Sequence, residues 1–153
     1  MAHVLYVDLS AKAEQWTKAS AIAAANGHSR VILVSSRTKQ RGRLVIRKLY
    51  GSKQEQYRLL AALVYLVLKP DLPNVNYIVI DKDYAGQFVE SQIKDFLLQF
   101  IRRDKPDAAA GMIHFQPVKG KIADILAKRV FDDDLPPNRV VSAKELEELI
   151  RGQ

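Results

Sequence analysis

Three aspartates stand where an apolar run gives way to something else: Asp8 ends VLYVD, Asp81 ends YIVID, and Asp124 sits early in KIADILAKRV. A carboxylate at the end of a buried strand emerges at the sheet edge. Two such strands lying side by side in parallel deliver both acids to the same edge, and a helix starting there adds the third. Carboxylates held a few ångströms apart repel and raise one another's pKa unless a cation neutralises them, so the trio calls for a hard divalent ion bound through oxygen, Mg²⁺ or Mn²⁺. Taken singly, each acid could be an N-cap or a first-turn residue favoured by the helix dipole.

The elements that must position them read as follows. HVLYVD, residues 3 to 8, is a short buried strand rich in β-branched and aromatic residues. Residues 11 to 25 admit two readings, a helix ended by Asn26-Gly27 or the first arm of a hairpin turning on that pair; the hairpin is favoured. RVILVSS (30 to 36) and RLVIRKLYG (43 to 51) read as strands joined by the polar turn RTKQRG. From Ser52 to Lys69 a helix is expected whose second half is apolar all round, followed by the Pro-rich KPDLPN and the central strand VNYIVID. An amphipathic helix over 86 to 103 buries Val89, Ile93, Phe96, Phe100 and Ile101. A strand, GMIHFQPV, leads to a helix over 121 to 131 with Ile122, Leu126 and Val130 inward. FDDDLPPNRVV gives a loop and short strand, and Ser142 with Glu145 makes a capping box for a last helix.

Length and composition fit one α/β domain over residues 1 to 153, 48% hydrophobic. No run of about 18 apolar residues and no leader pattern occurs, so the expectation is a soluble, cytoplasmic protein. With no cysteine, disulfides, thiolate nucleophiles and cysteine-zinc sites are excluded. The net charge of +7 favours a polyanion, nucleic acid first. The segment from Ser36 to Lys48 carries Lys and Arg with no acid among them, so Arg37, Lys39, Arg41 and Arg43 are candidates to hold a phosphate backbone, with Lys119 and Lys121 nearer the aspartates. His3, His28 and His114 are scattered and assigned no chemistry; Trp16, Tyr57 and Tyr65 read as core, Tyr84 and Asp83 as neighbours of the site, and Asp132 to Asp134 as a solvated run.

YIVIDKDYAGQFVESQIKDFLLQFI and IHFQPVKGKIADILAKRV resemble the fourth strand, the fifth strand and the helices that follow them in the ribonuclease H-like superfamily, and YRLLAALVYLV resembles its buried glutamate-bearing helix. The resemblance implies a mixed five-stranded sheet flanked by helices and antiparallel strands after the first. It implies a nuclease cutting phosphodiesters with two metal ions, Asp8 bridging them, Asp81 and Glu55 binding one and Asp124 the other. The closest alignment puts Arg58 where the family has its glutamate, with Glu55 one turn earlier on the same helical face. That departure supports an alternative, a catalytically inactive nucleic-acid-binding or assembly module on the same fold. A parallel Rossmann-like binder of a small phosphorylated ligand is a third reading, weakened by the missing Gly-rich phosphate loop.

Overall fold

The computed structural model describes residues 4–26, 28–82, 86–119 and 121–152. Its first strand, β1 (Val4–Ser10), buries Leu5 and Val7 toward one face and turns Tyr6 and Asp8 toward the other, the period-2 alternation expected of a strand. Antiparallel β2 (Ser20–Asn26) pairs with it, Asp8 opposite Ala23, and β3 (His28–Val34) pairs back on β2. Of the hairpin reading of residues 11 to 25, the strand holds from Ser20 onward, with residues 11 to 19 in turns and irregular chain; Gly27 at its turn lies outside the described residues.

Helix α1 (Ser36–Tyr50) corrects the strand expected over 43 to 51 and the turn before it. RLVIRKLY has strand-like local composition, but Ser35 caps a helix by accepting the Thr38 N–H, and the buried positions Thr38, Lys39, Gly42, Val45 and Ile46 recur at helical spacing. Gly42 is required by proximity rather than by a turn: a Cβ there would lie 2.7 Å from Leu146 Cδ2 of the last helix. Next comes α2 (Glu55–Leu68), in which every residue from Leu59 to Leu68 is buried, as its all-round apolar pattern predicts. After a 3₁₀ turn (Lys69–Asn74), β4 (Tyr77–Asp81) pairs in parallel with β1, Val7 beside Ile80. Helix α3 (Gln87–Asp104) follows, then β5 (Ile113–Gln116) parallel to β4, α4 (Ile122–Phe131), a two-residue β6 (Arg139–Val140) parallel to β3, and α5 (Ala143–Arg151), capped by Ser142.

The fold class is α/β, with a six-stranded mixed sheet in the order β5-β4-β1-β2-β3-β6 rather than five strands. One face is covered by α1, α2, α3 and α5 through a core of Leu, Ile, Val and Phe. The other is covered by α4 alone, and there the contact is small against small: Ala123 and Ala127 pack with Ala21, Ala23 and Ala25 of β2. The inward face of α4 is thus Ala123, Asp124, Ala127 and Val130, while Ile122, expected inside, is exposed. Among the described residues no helix is long and apolar enough to cross a membrane.

Candidate functional site

One position beyond the Val7–Ile80 pair, β1 and β4 carry Asp8 and Asp81 as neighbours, both on the face beneath α4. Asp124, in the first turn of α4, is lowered onto them by the alanine contact. All three line one pocket of about 260 Å³, together with Leu9, Ser10, Ala11, Lys119 and Lys128. The convergence expected of residues 8, 81 and 124 is present in the fold.

Asp8 is only 3% exposed and Asp124 only 8%. Burial pushes the Asp8 carboxyl up to about 8, with further upward pressure from its hydrogen bond with Asp124 and from the Asp81 charge; the Leu9 N–H, 2.8 Å from Oδ1, pulls the other way. A hydrogen bond between the two carboxyls needs a proton on one of them, and burial favours its being kept. Asp81 is anchored differently, its Oδ1 accepting the Val118 N–H at 2.7 Å, which ties the exit of β5 to the site. Lys128 Nζ lies 3.7 Å from Asp124 Oδ2, one helical turn along α4.

The donors are carboxylate oxygens, the chemistry that a hard divalent ion takes. Asp8 and Asp124 are the touching pair. Asp81 has one oxygen committed to Val118, and among the described residues no set of three His, Cys, Asp or Glu side chains closes around one point.

Glu55, expected as the fourth carboxylate, does not line this pocket. Arg43 Nε donates to its Oε1 at 2.8 Å, and Arg47 reaches Oε2 at 2.6 Å through Nε and Oε1 at 3.0 Å through a terminal nitrogen. Burial works to raise the Glu55 pKa, but the hydrogen bonds from Arg47 and Arg43 outweigh it and hold the carboxyl below its usual value. Arg58 does not face the carboxylates either; it stacks on Tyr50 and Phe96.

The basic candidates separate. Arg37 is exposed on α1, and Arg41, exposed beside it, lies 3.7 Å from Glu147. Arg43 is committed to Glu55 and to the face of Trp16, 4.3 Å from its ring centre. Lys39 is fully buried: its ammonium donates to Ser20 Oγ and the Gln15 carbonyl at 2.9 Å and to the Lys12 carbonyl at 3.4 Å, so it holds a loop and no phosphate. Ser20 in turn donates to the carbonyl of Ala11, a wall residue of the pocket held at a φ of 66°. Lys119 lines the pocket, whereas Lys121 is exposed at the N-cap of α4 outside its lining. Asp83 and Tyr84 lie outside the described residues. Lys128 was missed, although its place four residues after Asp124 was a signal that could have found it; the wall from Leu9 to Ala11 carried no chemical signal in the sequence.

Neither a family model, nor a curated protein, nor a solved structure matches the chain.

Proposed function

We propose that the chain is a divergent ribonuclease H-like domain whose carboxylate pocket takes Mg²⁺ or Mn²⁺ and cuts a nucleic-acid phosphodiester. The observation that carries this reading is the meeting of Asp8, Asp81 and Asp124, from three separate elements, in one pocket. The strand directions support it: two antiparallel partners after β1 on one side and parallel β4 and β5 on the other, as the resemblance implies.

A bound divalent ion supplies Lewis acidity, lowering the pKa of a coordinated water and stabilising negative charge on a leaving oxygen. Asp8 and Asp124 would hold it, giving up the proton of their hydrogen bond, with the free oxygen of Asp81 beside them. Val118 fixes Asp81, and the Leu9 N–H orients Asp8. Lys119 and Lys128 put positive charge at the pocket, where a phosphodiester must approach. Arg37 and Arg41, exposed on α1, would bind backbone phosphate without reading sequence. Glu55 has no part in this scheme.

The second reading keeps the fold and the nucleic acid but drops cleavage; the neutralisation of Glu55 by two arginines favours it, since it leaves the pocket with three carboxylates. Labelled RNA/DNA hybrid, single strands and branched DNA incubated with Mg²⁺ or Mn²⁺ distinguish the two, with Asp81→Asn as control. Melting curves with Mn²⁺ are read in parallel. Cleavage lost in Asp81→Asn supports the nuclease; a Mn²⁺-dependent rise in melting temperature without cleavage supports the inactive module. No Mn²⁺ response in either measurement removes the pocket as a cation site.

A further inference from the structure

On the opposite face of the sheet, Arg58 interrupts the otherwise apolar course of α2. Its guanidinium carbon lies 3.9 Å from the ring centre of Tyr50, at the end of α1, and 4.2 Å from that of Phe96 on α3. Both distances are within the range of a cation–π contact. Ring stacking engages the faces of a guanidinium and leaves its edge, with five N–H donors in a fixed fork, for oxygen acceptors. Among the described residues no hydrogen bond or ion pair holds that edge, and its nitrogens are not sealed from solvent. Burial lowers the Arg58 pKa, and the neighbouring Tyr50 hydroxyl works against that. A half-buried cation without a counter-ion carries a desolvation cost that Leu or Met at this position would avoid.

Arg58 opens on a cavity of about 30 Å³ that Arg103 and Gln99 also line. Arg103 stacks on Phe100 at 4.8 Å and gives one terminal nitrogen to the Leu149 carbonyl at 2.8 Å, which leaves its other donors uncommitted. Ile46 and Ile150 complete the wall. A space of this size holds about two waters, so it admits two oxygens of one small anion, leaves the rest of that anion at its mouth, and takes no nucleobase. Two guanidiniums and a carboxamide around it supply forked donors and a double positive charge, which suit a dianionic group better than a carboxylate.

We propose that this cavity is a phosphate site, with Arg58 as the stacked, preset donor and Arg103 and Gln99 closing on the remaining oxygens. Its ligand is inorganic phosphate or a terminal phosphate whose remaining atoms stay outside. It is independent of the carboxylate pocket and of any cleavage there.

The test is a titration of the full chain with inorganic phosphate in the absence of divalent cations, with ionic strength held constant by chloride, read by melting temperature and by calorimetry. A saturable rise is expected, with affinity reduced at least tenfold in Arg58→Met and in Arg103→Met and unchanged in Asp8→Asn. A rise matched by chloride alone, or one that both arginine variants retain, overturns the proposal. Should Arg58→Met fold poorly, Arg103→Met carries the same decision. Oligonucleotides with and without a 5′-phosphate identify the source: a preference for the phosphorylated end that Arg103→Met abolishes assigns a polymer terminus, and no preference alongside a saturable phosphate response assigns the free anion.

Discussion

The two faces of the sheet differ in what they are made of. On the α2 side one core joins Leu59, Leu60, Leu63 and Val67 with Leu5, Val7, Ile78 and Ile80; on the α4 side Ala123 and Ala127 join Ala21, Ala23 and Ala25, with Val31, Val79, Val118 and Val130 beside them. Large aliphatic side chains remove more area from water and carry most of the stability, whereas small ones let backbones come close. The thick face holds the molecule together. The thin face places a helix terminus, with its aspartate, against a strand end.

That division can be broken from either side. Leu63→Ala, in the thick layer, is expected to cost roughly 2–5 kcal/mol in denaturant unfolding, while leaving the melting-temperature response to Mn²⁺ in place. If the response disappears with the stability, the two faces are not separable.

Asp8 gives the next largest effect, in pH dependence. Below about 3.8 the carboxyl is protonated in both folded and unfolded chains; between there and about 8 the unfolded chain gives up the proton and the folded chain keeps it. Stability without divalent cation should therefore fall as pH rises through that window, by roughly 2–4 kcal/mol after allowance for relaxation. Asp8→Asn should flatten the slope. Lys39 has the opposite sign: burial lowers its pKa from 10.5 to about 8, so its penalty is full below 8 and relaxes as pH climbs toward 10.5. Together the two groups put a stability trough near pH 8, and Lys39→Met should erase its alkaline side.

Ala127→Leu, on the thin face, forces α4 away from β2 and should cost about 1–3 kcal/mol. Its larger consequence is for chemistry: with Asp124 lifted from Asp8, the Mn²⁺ response is expected to vanish although the chain remains folded by circular dichroism. The smallest effect belongs to Glu55→Gln, which leaves Arg43 and Arg47 partly solvated and should cost about 1 kcal/mol. It should not change the Mn²⁺ response at all; a loss would return Glu55 to the site.

Asp8 and Asp81 were legible because each closes an apolar run, and Asp124 because it stands in the first turn of an amphipathic helix. The face of α4 was legible in part: Leu126 and Val130 pack inward as expected, but Ile122 is exposed and the close contact is made by Ala123 and Ala127, whose small side chains carry little apolar signal. Helix α1 was hidden for a related reason: its buried stripe includes Thr38, Lys39 and Gly42, which contribute no apolar signal, so the period of its inner face cannot be seen. The burial of Lys39 and the capture of Glu55 depend on partners 8 to 27 positions away on other elements or in the loop after β1. Local composition holds no trace of such pairings.

Helix α2 has no side exposed to water along its second half. Its amide protons there have no partial opening through which to reach solvent, because freeing any one face means parting the sheet from three other helices. Deuterium uptake at Leu59 to Leu68 should consequently track complete unfolding alone, making this segment an internal gauge against which local motions near the aspartates can be timed.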